Sequence, residues 1–178
     1  MPDKTTFRLK FWGTRGSIAC PGPDTVKYGG NTTCFEVTCG SRRIIIDAGT
    51  GIRSLGKKIM LEEGNFLDTD IFFTHTHMDH IQGLPFFAPL YNPKNNIRLH
   101  AGHLQPPCDL QGLIGTMLMK APIFPVPISV IEQACTFNDY NCGQIFELEE
   151  GIVIRTGKLN HPNGACGYRI EFAGKAIA

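Results

Sequence analysis

The fold of this chain is decided by the stretch His75-Thr76-His77-Met78-Asp79-His80. It holds three of the six histidines in the 178-residue sequence, together with one aspartate. The residues just before it, Asp70-Ile71-Phe72-Phe73-Thr74, are mostly apolar and predict a short buried strand. The imidazoles therefore stand where a strand ends and a loop begins, a frequent position for side chains that bind a ligand.

The spacing within this stretch predicts a two-metal site. Two histidines one residue apart, His75 and His77, can face one ion, while Asp79 and His80 can face a second ion beside it. Imidazole and carboxylate ligands together suit zinc, manganese or iron. A polar loop that holds its histidines by chance is the alternative. It explains four ligand-type residues directly after an apolar strand less well.

The composition indicates a globular protein with one domain over residues 1–178. Hydrophobic residues make up 42% of the chain and charged residues 19%, and the length allows a substantial core. The net charge is +1, and Lys and Arg never form a run longer than two. A long nucleic acid is therefore an improbable partner, because it requires many clustered phosphate contacts. A nucleotide-sized substrate is not excluded.

The sequence favours a cytoplasmic location. Residues 1–6 contain no apolar stretch behind a basic start, so they do not resemble a secretory signal. No run approaches the ~18 apolar residues of a membrane span, and no membrane partner is expected. The seven cysteines are odd in number, scattered and free of any Cys-x-x-Cys pair. This pattern predicts reduced thiols.

The distribution of apolar residues predicts an α/β fold with two packed sheets and helices outside. Residues 7–11 alternate as in a half-buried strand, whereas Ile44-Ile45-Ile46 is apolar on both faces, as in a strand between layers. A helix is predicted after Gly51 and through Met60, and a second helix after a capping Asp109. Further strands are predicted at 33–39, 97–100, 146–148, 152–156, 167–172 and from 175 onward.

Several motifs resemble those of the metallo-β-lactamase fold superfamily. They are His75-x-His77-x-Asp79-His80, Asp47-Ala48-Gly49-Thr50-Gly51 after the isoleucine strand, and His161-Pro162-Asn163-Gly164. Residues 11–17 and 28–34 are similar to a subgroup near class II cyclic-nucleotide phosphodiesterases, PhnP-like phosphodiesterases and ribonuclease Z-like enzymes. The resemblance implies an αββα sandwich.

The resemblance also implies roles for individual residues. The first metal would be held by three imidazoles, those of His75, His77 and His161. The second would begin with Asp79 and His80, and Asp47 would hold the histidine loop from behind by hydrogen bonds. Zinc is the expected metal for both sites, with manganese or iron as alternatives.

Members of the superfamily add a bridging aspartate and a last histidine beyond the strand that starts at Lys175. The chain ends at Ala178 without them. The resemblance therefore implies a C-terminally incomplete domain with a weakly held second metal. His100 and His103 precede His161 and are interpreted as surface or strand-end histidines.

The function implied is hydrolysis of a small or cyclic phosphodiester, such as a cyclic nucleotide, by a metal-activated hydroxide. Asp79 could orient this nucleophile or take its proton, although metal ligation alone is the simpler role. The alternatives are thioester or acyl hydrolysis and a metal-binding or sensing module without turnover. A homodimer is left open. The aromatic residues Phe86, Phe87 and Phe124 either line a base-sized pocket or belong to the core, and candidate phosphate contacts are Arg15, Lys27 and Arg169.

Overall fold

The computed structural model describes residues 5–62 and 66–178, which contain two β-sheets. The first sheet has six strands in the order β1 to β6, of which β1–β3 pair antiparallel and β3–β6 pair parallel. Their bounds are β1 Phe7–Gly13, β2 Cys34–Cys39, β3 Arg42–Ile46, β4 Asp68–Phe73, β5 Asn96–Ala101 and β6 Cys135–Asp139. Parallel pairing brings the carboxyl ends of β3, β4 and β5 to one edge of the sheet.

The second sheet is antiparallel, with the strands in the order β10, β9, β8, β7. Its bounds are β7 Ile145–Leu148, β8 Ile152–Leu159, β9 Ala165–Phe172 and β10 Lys175–Ile177. The pairing of β8 with β9 runs through Leu159 and Ala165. This hairpin is longer at its tip than the sequence predicts, and its connecting loop carries His161.

The described part of the chain contains three α-helices: α1 Gly51–Glu62, α2 Met78–Ile81 and α3 Leu110–Leu113. A π-helical turn, Ile114–Leu118, continues α3, and short 3₁₀ turns occupy Leu84–Phe86 and Ala88–Tyr91. The Asp109 side chain caps α3 as predicted, because it accepts a hydrogen bond of 2.6 Å from the Gly112 amide. Among the described helices, none is long and apolar enough to cross a membrane.

Strand β3 is buried on both faces, as its isoleucines predict. Ile45 belongs to a core cluster that includes Ile52 and Leu55 of α1. Ile44 and Ile46 point the other way, into a second cluster between the two sheets. The described helices contribute to the first cluster only, so helices, first sheet and second sheet form successive layers. The predicted α/β class is confirmed.

Strand β6 is missed by the sequence prediction. Its sequence, Cys135-Thr136-Phe137-Asn138-Asp139, buries only Cys135, so no apolar alternation marks it. It forms because β5 offers a free edge, against which Leu99 pairs with Phe137. The prediction that the chain starts without a signal falls largely on residues 1–4, which lie outside the described residues.

Candidate metal centre

Asp47 and Thr74 meet at the carboxyl edge of the first sheet. Asp47 follows β3 and Thr74 follows β4, and these strands are parallel neighbours paired at Ile46 and Phe72. Asp47 has a φ of 61°, in the left-handed region that aspartate tolerates better than most residues. This turn directs its side chain at the start of the histidine stretch.

The Asp47 carboxylate is 1% exposed and receives three hydrogen-bond donors. The Thr74 amide donates to Oδ1 at 2.8 Å, the Thr74 hydroxyl to Oδ2 at 2.9 Å, and His80 Nδ1 to Oδ2 at 2.7 Å. Burial raises the pKa of Asp47, while the donors from His80 and Thr74 oppose that rise. Burial in turn lowers the pKa of His80, but the hydrogen bond and charge of Asp47 raise it above its ordinary value. The proton shared by this pair is therefore assigned to His80 Nδ1.

These bonds fix the ring nitrogens of two histidines. Because the Thr74 hydroxyl donates to Asp47, it can only accept from His75 Nδ1, which lies 3.0 Å away. Nε2 of His75 is then unprotonated and presents a lone pair. In the same way, donation from His80 Nδ1 to Asp47 leaves Nε2 of His80 as an acceptor. Nε2 of His75 and Nε2 of His80 can therefore each donate a lone pair to a cation.

The second sheet brings His161 to the same place. The Cys166 amide of β9 donates to the Thr74 carbonyl at 2.7 Å, and the Tyr168 hydroxyl donates to the Phe73 carbonyl at 2.6 Å. These bonds join the start of β9 to the end of β4. The preceding loop closes with a bond from the Gly164 amide to the His161 carbonyl, so the His161 ring lies beside His75 and His77.

Three imidazole nitrogens converge on one point, and they fit a zinc ion. His77 Nδ1 lies 3.1 Å from His75 Nε2 and 3.2 Å from His161 Nε2. Nitrogen ligands about 2.0–2.1 Å from a tetrahedral zinc ion lie about 3.3 Å apart, close to these values. Burial, and then the neighbouring histidines, lower the pKa of His75 to about 4. The ring is thus neutral at physiological pH, as metal ligation requires.

Asp79 and His80 form a second pair of donors next to this cluster. Asp79 Oδ2 lies 3.5 Å from His80 Nε2, and it also accepts a hydrogen bond of 2.8 Å from the Ser17 amide. The Ser17 contact joins residues 62 positions apart and has no signal in the sequence. The pair supplies two donor atoms, where the three-histidine cluster supplies three.

The glycine-containing loop after β3 holds helix α2 in place. The Ala48 amide donates to the His80 carbonyl at 2.7 Å, and the Gly83 amide donates to the Ala48 carbonyl at 2.9 Å. A β-carbon at Gly49 would collide with the Asp79 carbonyl oxygen. The close approach of loop and helix therefore requires glycine at this position. The motif beginning at Asp47 and the motif beginning at His75 therefore contact each other directly.

The prediction that His100 and His103 are surface or strand-end residues is wrong as regards the surface. Both side chains are buried, since β5 is an interior strand of the first sheet. His100 bonds to Asp70 at 2.9 Å, away from the histidine cluster. His103 Nε2 lies 3.0 Å from the Thr76 hydroxyl, between the first two histidines of the motif. His103 is thus a neighbour of the site that sequence reasoning missed.

The three aromatic residues that the sequence assigned either to a pocket or to the core have different surroundings. Phe87 is fully buried in the first core cluster. Phe86 and Phe124 contact each other edge-to-face at 5.6 Å, with Phe86 55% exposed. A cleft of about 830 Å³ lies next to His161. Arg169, a candidate phosphate contact, donates to Glu171 at 2.8 Å.

The two layers of sheet and the histidine cluster define a metallo-β-lactamase type of fold. Residues 42–178 match the family model described as the beta-lactamase superfamily domain. The chain therefore belongs to the beta-lactamase superfamily, and the resemblance read from the motifs is confirmed.

Two curated relatives differ in function. A ribonuclease Z from Clostridium acetobutylicum is 30% identical over 121 residues, which cover 67% of this chain and 38% of that protein. An atrochrysone carboxyl ACP thioesterase from Aspergillus novofumigatus is 40% identical over 73 residues, 40% of this chain and 22% of that protein. The chain thus spans well under half the length of these relatives.

Solved structures share the fold at low sequence identity. The metallo-β-lactamase fold protein YhfI from Bacillus subtilis matches with a TM-score of 0.64 at 11% identity, over 94% of this chain and 60% of that one. A diphosphatase from the PhnP family matches with a TM-score of 0.58 at 17% identity, over 94% of this chain and 62% of that one. These likenesses support the fold assignment.

Proposed function

We propose that this chain carries the metal centre of a hydrolase that cleaves a small or cyclic phosphodiester. The observation that carries the proposal is the convergence of His75 Nε2, His77 Nδ1 and His161 Nε2, with Asp79 and His80 beside them. In this proposal the three histidines hold one divalent cation, and Asp79 and His80 contribute to a second. Such cations lower the pKa of water and offset negative charge on a phosphodiester.

The chain's own residues fix the geometry of this chemistry. Asp47 and Thr74 hold His75 and His80 in the tautomers that leave Nε2 free. The Ser17 amide fixes Oδ2 of Asp79, whereas Oδ1 has no hydrogen bond to any residue that the structure describes. We assign to Asp79 Oδ1 the orientation of the attacking water or the acceptance of its proton. Metal ligation through the same carboxylate is compatible with this role.

The native metal and the location are part of the proposal. Three imidazole donors suit zinc, and manganese or iron would use the same ligands. All seven cysteines are free, and four of them are buried, as expected of a protein in a reducing compartment such as the cytoplasm.

A second candidate function is hydrolysis of a thioester by the same centre. The match to an ACP thioesterase favours it, because that match is 40% identical over its 73 residues. The phosphodiester proposal ranks first because the longer matches are to ribonuclease Z. Residues 11–17 and 28–34 also resemble those of phosphodiesterases. A metal-binding module without turnover is the third outcome.

One assay separates these outcomes. The zinc-loaded and manganese-loaded protein is incubated with bis(p-nitrophenyl) phosphate and, separately, with a small thioester. We expect diester hydrolysis that His77→Ala lowers by more than about 100-fold, the upper range for removing a mere supporting partner of a ligand. Lys57→Gln, an exposed change on α1, is the matched control.

Thioester cleavage without diester cleavage would replace the first proposal by the second. Zinc binding that is lost in His77→Ala, with no turnover of either substrate, would establish the binding module. Zinc content is measured by mass spectrometry on each variant, so that loss of metal and loss of chemistry are recorded separately.

A further inference from the structure

The cleft next to His161 is lined by polar side chains that have no role in the proposed metal centre. It measures about 830 Å³ and lies between the tip of the β8–β9 hairpin and the loops after β5 and β6. Four side-chain amides line it, together with one ammonium group and no carboxylate. The amides are those of Gln105, Asn141, Asn160 and Asn163, and the ammonium is that of Lys158.

Lys158 differs from the two arginines of its sheet. Arg155, three residues earlier on β8, and Arg169 on β9 both donate to the carboxylate of Glu171. Within the part of the chain that the structure describes, Lys158 forms no ion pair with a carboxylate. A lysine without a carboxylate in a cleft without acids presents an uncompensated positive charge to whatever enters.

The strand register directs Lys158 into the cleft. Lys158 pairs with Cys166 across the hairpin, so the two side chains share one face of the sheet. Cys166 on that face lies 3.5 Å from the Tyr140 hydroxyl, in the loop that forms the opposite wall. Burial raises the pKa of Cys142 in the same wall to about 12, and the charge of Lys158 acts against this rise. Lys158 and Cys142 both line the cleft, from its two walls.

The wall also contains a buried polar atom without a partner. The His103 side chain is 8% exposed and lines the cleft. Its Nε2 forms a hydrogen bond with the Thr76 hydroxyl, but Nδ1 has no hydrogen bond to any residue the structure describes. Because buried ring nitrogens are normally satisfied, this atom is a further indication that the cleft accommodates a polar ligand.

We propose that the cleft binds a second anionic group of the substrate, a phosphate separate from the scissile diester, through Lys158 and the neighbouring amides. This inference rests on the proposed function, since it takes the diester itself to lie at the histidine cluster. Lys158 stands three residues from His161, a span of about 10 Å in extended chain. Nucleotides with an additional phosphate would then be preferred over cyclic mononucleotides, which carry only the scissile group.

The test compares two ligands by calorimetry on the zinc-loaded protein. Adenosine 5′-monophosphate has one phosphate, which the histidine cluster can take, and adenosine 3′,5′-bisphosphate adds the second. We expect the bisphosphate to bind about tenfold more tightly, the gain of one additional charge-assisted contact. In Lys158→Gln this preference should disappear, and in Lys158→Arg it should return in large part.

The control is Lys57→Gln, which removes the same charge from the exposed face of α1 and should keep the preference. Thermal unfolding of each variant verifies that the fold is retained. Equal binding of the two ligands by the unaltered protein, a preference that survives Lys158→Gln, or no binding of either ligand would each overturn the inference. The assay needs no turnover, so absence of diesterase activity would count against the proposed function alone.

Discussion

Two buried aspartates on neighbouring strands have opposite surroundings. Asp47 and Asp70 are each 1% exposed, the first directly after β3 and the second within β4. Asp70 accepts from Arg42 at 2.9 Å, from Arg98 at 2.7 Å and from His100 at 2.9 Å. Among the residues that the structure describes, Asp47 accepts only from Thr74 and His80.

The difference separates a carboxylate whose charge is compensated within the chain from one that we propose supports a metal centre. Burial alone would raise the pKa of Asp70, but bonds from His100 and Arg98 hold it well below its usual range. Asp70 is thus fully compensated within the chain. Burial raises the pKa of Asp47, whose one chargeable partner is His80. Since His80 turns its other nitrogen toward Asp79, the negative charge of Asp47 is compensated best when a cation lies there.

The largest effect is expected from breaking the Asp70 cluster. Asp70→Asn removes the buried carboxylate and leaves Arg42 and Arg98 with Asp68 as their remaining carboxylate partner. Breaking a buried ion pair in this way costs about 3–5 kcal/mol of unfolding free energy. Urea unfolding measures it. Glu171→Gln is the control, because its ion pairs with Arg155 and Arg169 are exposed and should matter little. An unfolding midpoint of Asp70→Asn equal to that of the unaltered protein would contradict this interpretation.

Asp47→Asn should affect metal binding instead. Loss of the carboxylate behind His80 and Thr74 removes the group that fixes their hydrogen bonds, and supporting partners of this kind contribute about 10–100-fold to metal affinity. Competition with a zinc chelator measures the change. Asp24→Asn, an exposed carboxylate, should leave the affinity unaltered. If Asp47→Asn weakened zinc no more than Asp24→Asn did, Asp47 would be no different in kind from Asp70.

The pH dependence of stability tests the depressed pKa assigned to Asp70. The folded-state pKa of Asp70 is depressed below the value near 3.9 of an unfolded chain, so its contribution is present above about pH 4 and lost as the pH falls toward the folded value. The loss should reach about 1 kcal/mol by pH 3. Unfolding free energies measured between pH 5 and pH 3 should therefore fall less steeply for Asp70→Asn. Parallel slopes for the two proteins would contradict the assignment.

The sequence predicts the ligand-type residues of the candidate site better than it predicts the contacts that position them. The ligand-type residues His75, His77, Asp79 and His80 are close in sequence and follow an apolar strand, so local pattern finds them. His161 is found only through resemblance, because its approach depends on how β9 bonds to the end of β4. The Asp70 cluster is not predicted at all. The partners of Asp70 come from the two neighbouring strands, β3 and β5, and meet it only through the register of β3, β4 and β5.

The same limit applies to the two histidines near the end of β5. Nothing in the sequence says that His100 faces Asp70 while His103 faces Thr76. The divergence arises because His100 lies within the strand and His103 lies beyond its end at Ala101. His100 therefore belongs to the Asp70 cluster, whereas His103 lies at the edge of the candidate metal centre.

The smallest effect is expected at the bond between His103 and Thr76. Thr76 separates His75 from His77, so the bond of 3.0 Å to His103 Nε2 restricts the backbone that carries both. One net hydrogen bond corresponds to about threefold to tenfold in zinc affinity if it acts only through ligand position. His103→Ala and Thr76→Val should each weaken zinc by this factor. The double variant should be no worse than either single one, because the two side chains act through one bond. His103→Gln, whose amide nitrogen can replace Nε2, should restore much of the affinity. Additive losses in the double variant would show that His103 acts on the site by another route.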